Sequence, residues 1–429
     1  MSRHTPRARR AWLRFPPHSL SIARRPIGTM RAAAASSMRR RPPPTRSRFS
    51  SSSSSSSSLA AFQEIPILSL PPADGSTDLQ ERDFAERLRH ACHTVGFFYV
   101  REHGVGGGTY SRALASSRAF FALDLESKLS IDYRNSPSFR GYMQLGTENT
   151  AGRADRREQI EFGVEGGGDR AGCGRRPFYR RLEGPNQWPD EHVPSLRGDV
   201  SSFMSEMEVL ARRIMEYLAL GLRLPRSYFN DTFRDRPNVQ LKICRYPPVD
   251  AASDDDDGGF GVGAHTDSGY LSLLLQDGVG GLQVQNGAGT WIDAPPIDRT
   301  VVVNLGEMLQ LVTGGYFLAT PHRVRSGRVV GDGSDPARYS LPYFWNPRLD
   351  FRAVPIDPLP PGLEWQRPDR AADAARRTSP HGDAGPENRL LTCYGENAFK
   401  SLARSHPQVM RRHHSDLEVL RDGSVRALT

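Results

Sequence analysis

Two hydrophobic periods divide this chain. Before residue 224 most apolar positions recur at helical spacing. Ile65–Leu70 reads as a short strand, and Leu79–Val95 then sets Phe84, Leu88, Cys92 and Val95 on one helical face that Gly96 closes. Phe97–Val100 reads as a strand, and Tyr110–Leu125 as a second helix with Leu114, Ser117, Phe120 and Phe121 inward. Residues 163–198, rich in Gly, Arg and Pro, read as a long excursion. Val200–Leu224 predicts the longest helix, on the recurrence of Phe203, Met207, Leu210, Ile214, Leu218 and Leu222.

After Asn238 the period falls to two. Val239, Leu241 and Ile243 alternate with polar residues, and short strand-like runs follow at Tyr270–Gln276, Gly281–Gln285, Thr290–Ile292, Thr300–Leu305 and Tyr339–Trp345. Many short strands at close spacing predict a β-sandwich or jelly roll. The expected class is α+β, mainly β: a helical N-terminal part packed on a C-terminal jelly roll. Asp254–Gly259, with four aspartates and two glycines, reads as a solvated rim loop without the alternation of a calcium loop.

Composition narrows the function classes. The 429 residues suffice for two or three domains or one large β-rich unit, and 37% hydrophobic against 24% charged residues exclude a wholly disordered chain. No apolar run approaches the ~18 residues of a membrane span, so none is expected. Cys92, Cys173, Cys244 and Cys393 form no CxxC, which excludes a zinc ribbon or disulfide scaffold and points to a reducing compartment.

The net charge of +9 comes from one end. Residues 1–63 hold 13 of the 57 basic residues and no acidic one, which leaves 44 basic against 48 acidic residues in the remainder. A mildly acidic body argues against nucleic acid as a partner. An Arg- and Ser-rich, acid-free leader is instead the signature of a transit peptide, with Met30–Arg41 as a short cationic helix and Arg48-Phe49-Ser50 as a processing site. Organelle import is expected, mitochondrion ahead of plastid; a leader without an address would leave the protein cytoplasmic.

His-x-Asp occurs three times, as His265/Asp267, His381/Asp383 and His414/Asp416. Only the first has room for a third ligand downstream: His322 follows Asp267 by 55 residues, enough for strands to return. In a strand, residues i and i+2 share a side, so His265 and Asp267 could both reach one metal. The two later pairs are expected on loop or helix surfaces. Two histidines and one carboxylate leave three coordination positions, which suits non-haem Fe(II), with zinc as the rival metal. Arg338-Tyr339-Ser340 is a second i, i+2 pair. Its guanidinium and hydroxyl could grip one end of a dicarboxylate whose other end chelates the metal, and Tyr246 could add a hydrogen bond.

These residues and their surroundings resemble the iron/2-oxoglutarate-dependent dioxygenases of the isopenicillin-N-synthase-like family. The resemblance rests on Ala264–Tyr270, Gln276-Asp277 with Gly280–Val284, Thr320–Val324 and Asn304–Leu309, and extends over roughly residues 64–415 through Gly96–Val100, His103–Val105, Gly184–Pro189, Tyr394–Glu396 and Ser405–Pro407. It implies a double-stranded β-helix (jelly-roll) core at 236–350, an accessory domain at 64–235, and a C-terminal tail at 351–429 with a helix on the core. It further implies that His265, Asp267 and His322 hold Fe(II), that Arg338 and Ser340 bind the distal carboxylate of 2-oxoglutarate, and that Tyr246 is a co-substrate tyrosine. Cys244 stands where plant members often carry asparagine, so it receives no role. The implied reaction oxidises a small molecule, with hydroxylation as the default outcome, and consumes O2 and 2-oxoglutarate with release of succinate and CO2. Ascorbate is an optional reductant and a monomer is expected. The alternatives are an iron oxidase of the same fold that does not use 2-oxoglutarate, and a non-catalytic binding module. Phe97, Phe98, Phe120 and Phe121 are expected in the core.

Overall fold

The computed structural model describes residues 62–150, 153–166, 177–248, 260–325, 337–363 and 390–428. The leader as far as residue 61, the acidic stretch before His265, Cys173 and the His381/Asp383 pair lie outside the described residues.

In chain order the strands are β1 (Ile67–Ser69), β2 (Phe97–Arg101), β3 (Gly141–Met143), β4 (Asn149–Thr150), β5 (Arg153–Ala154), β6 (Glu158–Gly163), β7 (Asn238–Tyr246) and β8 (Phe260–His265). They continue with β9 (Leu271–Gln276), β10 (Leu282–Gln285), β11 (Trp291–Asp293), β12 (Val301–Leu305), β13 (His322–Arg325), β14 (Arg338–Asn346), β15 (Leu417–Val419) and β16 (Val425–Ala427). The helices are α1 (Asp78–Thr94), α2 (Gly107–Phe121), α3 (Leu125–Leu129), α4 (Ser195–Gly221), α5 (Glu307–Val312), α6 (Tyr394–Ser405) and α7 (Pro407–His413).

Two sheets make the jelly roll. The larger runs β1-β2-β12-β9-β14-β7-β6-β3 and the smaller β11-β10-β13-β8. Alternation along the strands decides what each face meets. In β7 and β14, Val239, Leu241, Ile243, Tyr339, Leu341, Tyr343 and Trp345 join one large core with buried residues of α1, α2 and α4. The opposite faces turn into the roll, where Tyr246, Val262, Leu282, Val302 and Val324 form a second, smaller core.

Helix ends depart from the period in ways local chemistry explains. Thr77 forms a capping box with Gln80 and starts α1. The expected second helix stops at Phe121 because Asp124 accepts from the Ser127 amide at 2.8 Å and starts α3 separately. The longest helix begins at Ser195, five residues earlier than expected, behind Pro194 at its N-cap. Strands β3, β4, β5, β6, β8, β13, β15 and β16 were not among the expected runs.

Two expectations need correction. His265 and Asp267 do not share a strand: β8 ends at His265, and Asp267 lies in the turn beyond. Nor is His414 a surface residue. It is buried, its Nε2 donates to the Pro137 carbonyl at 2.8 Å, and it stacks on Phe139, while Asp416 pairs with Arg181. An imidazole offers two hydrogen-bonding atoms and a flat apolar face, so it can satisfy a buried corner without metal.

Candidate active site

Strand register brings the expected residues together. His322 of β13 lies directly opposite His265 of β8, and their rings are 4.3 Å apart between centroids. Asp267 completes the group, with its carboxylate oxygens 3.8 Å from Nε2 of each histidine. Ligand atoms of all three fall within 4.8 Å of one another.

Their second partners fix how they present. His265 Nδ1 contacts the Gly263 carbonyl at 2.9 Å, and His322 Nδ1 the Thr320 carbonyl at 3.2 Å. A carbonyl only accepts, so Nδ1 carries the hydrogen in both rings and Nε2 presents a lone pair. Asp267 Oδ2 accepts from Asn304 Nδ2 at 2.7 Å and from the Ser272 hydroxyl. Burial pushes the Asp267 carboxyl up, but the field of His322 and His265 when protonated, with these two hydrogen bonds, outweighs it and holds it below the ordinary carboxylate range. This donor set fits a divalent ion with one side left open.

The turn carrying Asp267 is pinned from behind. Its carbonyl accepts from the Glu307 amide at 2.7 Å, which ties it to the start of α5. Gly306 permits the approach, since a Cβ there would stand 2.2 Å from the Gly269 carbonyl oxygen.

Arg338 and Ser340 do share a face of β14, and Arg338 pairs across the ladder with Tyr246. The Arg338 guanidinium is 1% exposed and stacks over the Tyr246 ring at 4.8 Å. Its Nη2 donates to Gln276 at 3.2 Å, whereas Nε and Nη1 have no hydrogen-bond partner among the described residues. Buried cationic N–H groups left unmet are costly, so the arrangement asks for an anion. Ser340 is buried beside it, and burial is the main cause that raises the Tyr246 phenol.

All six residues line one cavity of about 280 Å³. Phe97 lines it too, edge-on to the His322 ring at 5.2 Å, so its core packing also shapes the site. The sequence reading missed other parts of the wall, among them Asn238, Gln240 and Lys242 of β7, Glu148 and Arg157 around the β4–β5 hairpin, and Arg404 of α6. One signal was present. The polar residues that alternate with Val239, Leu241 and Ile243 read only as the outer half of a pattern, yet the opposite face of β7 looks into the roll. Nothing in the sequence placed Glu148 or Arg404 beside them.

Two family models match the chain: the N-terminal model of the non-haem dioxygenase in morphine synthesis over residues 65–191, and the 2OG-Fe(II) oxygenase superfamily over residues 237–347. A 2-oxoglutarate-dependent dioxygenase of Gibberella zeae is 34% identical over 371 residues, covering 83% of this chain and 92% of that protein. A 1-aminocyclopropane-1-carboxylate oxidase of Dictyostelium discoideum is 31% identical, covering 82% of this chain and all of its own length. Among solved structures, a full-length Neurospora crassa protein in complex with alpha-KG and thymine superposes with a TM-score of 0.59 at 28% identity, covering 70% of this chain and 90% of that one.

Proposed function

Because this chain belongs to the 2OG-Fe(II) oxygenase superfamily, we propose that His265, Asp267 and His322 hold its Fe(II) and that Arg338, Ser340 and Tyr246 receive 2-oxoglutarate. The enzyme is a 2-oxoglutarate-dependent dioxygenase, an oxidoreductase that oxidises a small organic molecule. Bound Fe(II) supplies O2 activation and the redox step, which couples 2-oxoglutarate decarboxylation to oxidation of a substrate C–H bond, by default its hydroxylation.

The chain's own residues contribute position and polarity. The two Nδ1–H···O=C bonds hold the imidazole planes, and Asn304 and Ser272 hold the Asp267 carboxylate ionised. Arg338 meets the distal carboxylate through two parallel N–H bonds, a fork that a lysine lacks. Leu274, Leu282, Val262 and Val324 line the same cavity and give it apolar wall beside these polar groups. At about 280 Å³ the space suits a small substrate beside the co-substrate.

The observation that carries this reading is the pair of unmet, buried N–H groups on Arg338 in the cavity of the His265–Asp267–His322 group. Succinate release from labelled 2-oxoglutarate, dependent on Fe(II) and O2, tests it. A second reading, an iron oxidase that does without 2-oxoglutarate, is favoured by the likeness to the Dictyostelium oxidase. Product formation without 2-oxoglutarate would select it.

By the same proposal, residues 64–235 form the accessory part, 236–350 the catalytic roll and 351–429 the closing tail. One chain suffices for the site, since its own α6 lines the cavity. Residues 1–63 direct import, mitochondrion ahead of plastid, and a fluorescent fusion of that segment that stays cytoplasmic would refute this.

A further inference from the structure

Part of the cavity wall serves neither the metal group nor Arg338. There Glu148, Arg157 and Lys242 line the space, together with Ser401, Arg404 and Ser405 of α6. The acids of this wall are engaged. Glu148 Oε1 takes Lys242 at 3.0 Å and Oε2 takes Arg157. Behind them Glu161 accepts from Lys242 at 2.9 Å, Gln159 at 2.8 Å and Gln240 at 2.6 Å. Asp155 accepts from Arg157 at 3.1 Å and Thr150 at 3.0 Å.

The cations are not equally engaged. Arg157 Nε and Arg404 Nη1 are buried without a hydrogen-bond partner among the described residues. Arg404 is nonetheless held in place, because its Nη2 donates to the carbonyls of Leu420 at 3.1 Å and Arg421 at 3.2 Å. Asp422 acts on it electrostatically, yet burial is the larger influence and lowers its pKa. A positively charged ligand group would find the Glu148 oxygens already engaged. A neutral one would supply weaker acceptors to these two buried cationic N–H groups than an anion does.

From these unmet donors we infer that the substrate carries a carboxylate, anchored by Arg404 with Arg157 as the second donor. The inference rests on the assignment of Arg338 to 2-oxoglutarate, since otherwise the co-substrate itself could occupy this wall. Arg404 is a specificity-determining residue on a helix outside the jelly roll, and it selects acids over their uncharged analogues.

The test uses matched pairs: acetate and acetamide, benzoate and benzamide, glycine and glycinamide. Each is titrated into the full chain loaded anaerobically with Fe(II) and saturating 2-oxoglutarate, with binding read by calorimetry. At least one acid is expected to bind roughly tenfold more tightly than its amide, as a charge-assisted contact requires. In Arg404→Gln that preference should fall to about twofold or less, and Arg404→Lys should restore part of it. Arg157 is the poorer target, because its loss leaves buried Asp155 without its cation and Glu148 with Lys242 alone. The wild-type comparison needs no variant to fold. Absence of an acid preference in every pair overturns the inference, and so does a preference that survives intact in a folded Arg404→Gln protein. Uncoupled 2-oxoglutarate turnover in the same preparation is read separately. Its absence would count against the functional reading, while the acid-to-amide ratio still decides the anchor.

Discussion

Replacing Arg338 with lysine isolates the guanidinium fork. The side chain is buried, and of its three donor atoms only Nη2 has a protein partner, Gln276. Nη2 keeps a second N–H, so a carboxylate docking there would take it together with one of the two unmet nitrogens, Nε or Nη1, as a fork. Lysine keeps a positive charge but offers a single nitrogen, so one of two parallel bonds to a charged acceptor is lost. Such a bond contributes about 1.5–3 kcal/mol. At about 1.4 kcal/mol per tenfold, the affinity for 2-oxoglutarate should fall roughly 10- to 150-fold. Initial rates of succinate formation against 2-oxoglutarate concentration give the apparent KM, and anaerobic equilibrium binding gives Kd without assuming that the two are equal. The maximal rate should change far less than KM. A KM and Kd both within twofold of wild type would refute the reasoning, since the co-substrate would then be held elsewhere.

Other outcomes follow from the same geometry. Asn304→Leu removes one of two donors to Asp267, and Fe(II) affinity should fall about 10- to 100-fold by competition against a chelator, with the fold retained. Asp267→Ala should abolish Fe(II)-dependent turnover, whereas His414→Ala should leave Fe(II) affinity unchanged and lower stability by about 1–3 kcal/mol in denaturant titrations, because its buried partners lose a contact. His406 is buried and burial lowers its pKa below 6.5, so the folded protein refuses a proton that the unfolded chain accepts. Stability should therefore fall as pH drops below about 6.5, and His406→Phe should flatten that slope by up to about 1.4 kcal/mol per pH unit. An unchanged slope would show that other groups govern the acid limb.

Legibility in the sequence followed the range of the interactions. The α1 and α4 faces and the alternation of β7 and β14 were readable because each repeats one rule over nine or more residues. The metal and co-substrate residues were readable because their spacing is dense: His265, Asp267 and His322 with Arg338 and Ser340 need no knowledge of the intervening chain. Short strands gave no such repetition. β8 and β13 carry the two histidines, but β13 spans only four residues and β8 is half glycine and alanine, so neither shows a period. The strand assignment of Asp267 failed for that reason, though the side chain still arrived, by way of the turn that α5 holds. Arg404 was invisible because it lies 58 positions beyond the end of β14 at Asn346 and meets the cavity only through the packing of α6.

The larger sheet turns an oily face outward, against helices, and a face of mixed polar and apolar residues inward. Each long strand therefore carries two messages on alternate letters. Leu241 and Tyr343 answer to the packing of α4 and its neighbours; Gln240 and Phe344 face whatever enters the roll, as does Lys242 from between Glu148 and Glu161. An engineer could rewrite the second set to welcome a different guest while the first set goes on holding the walls upright.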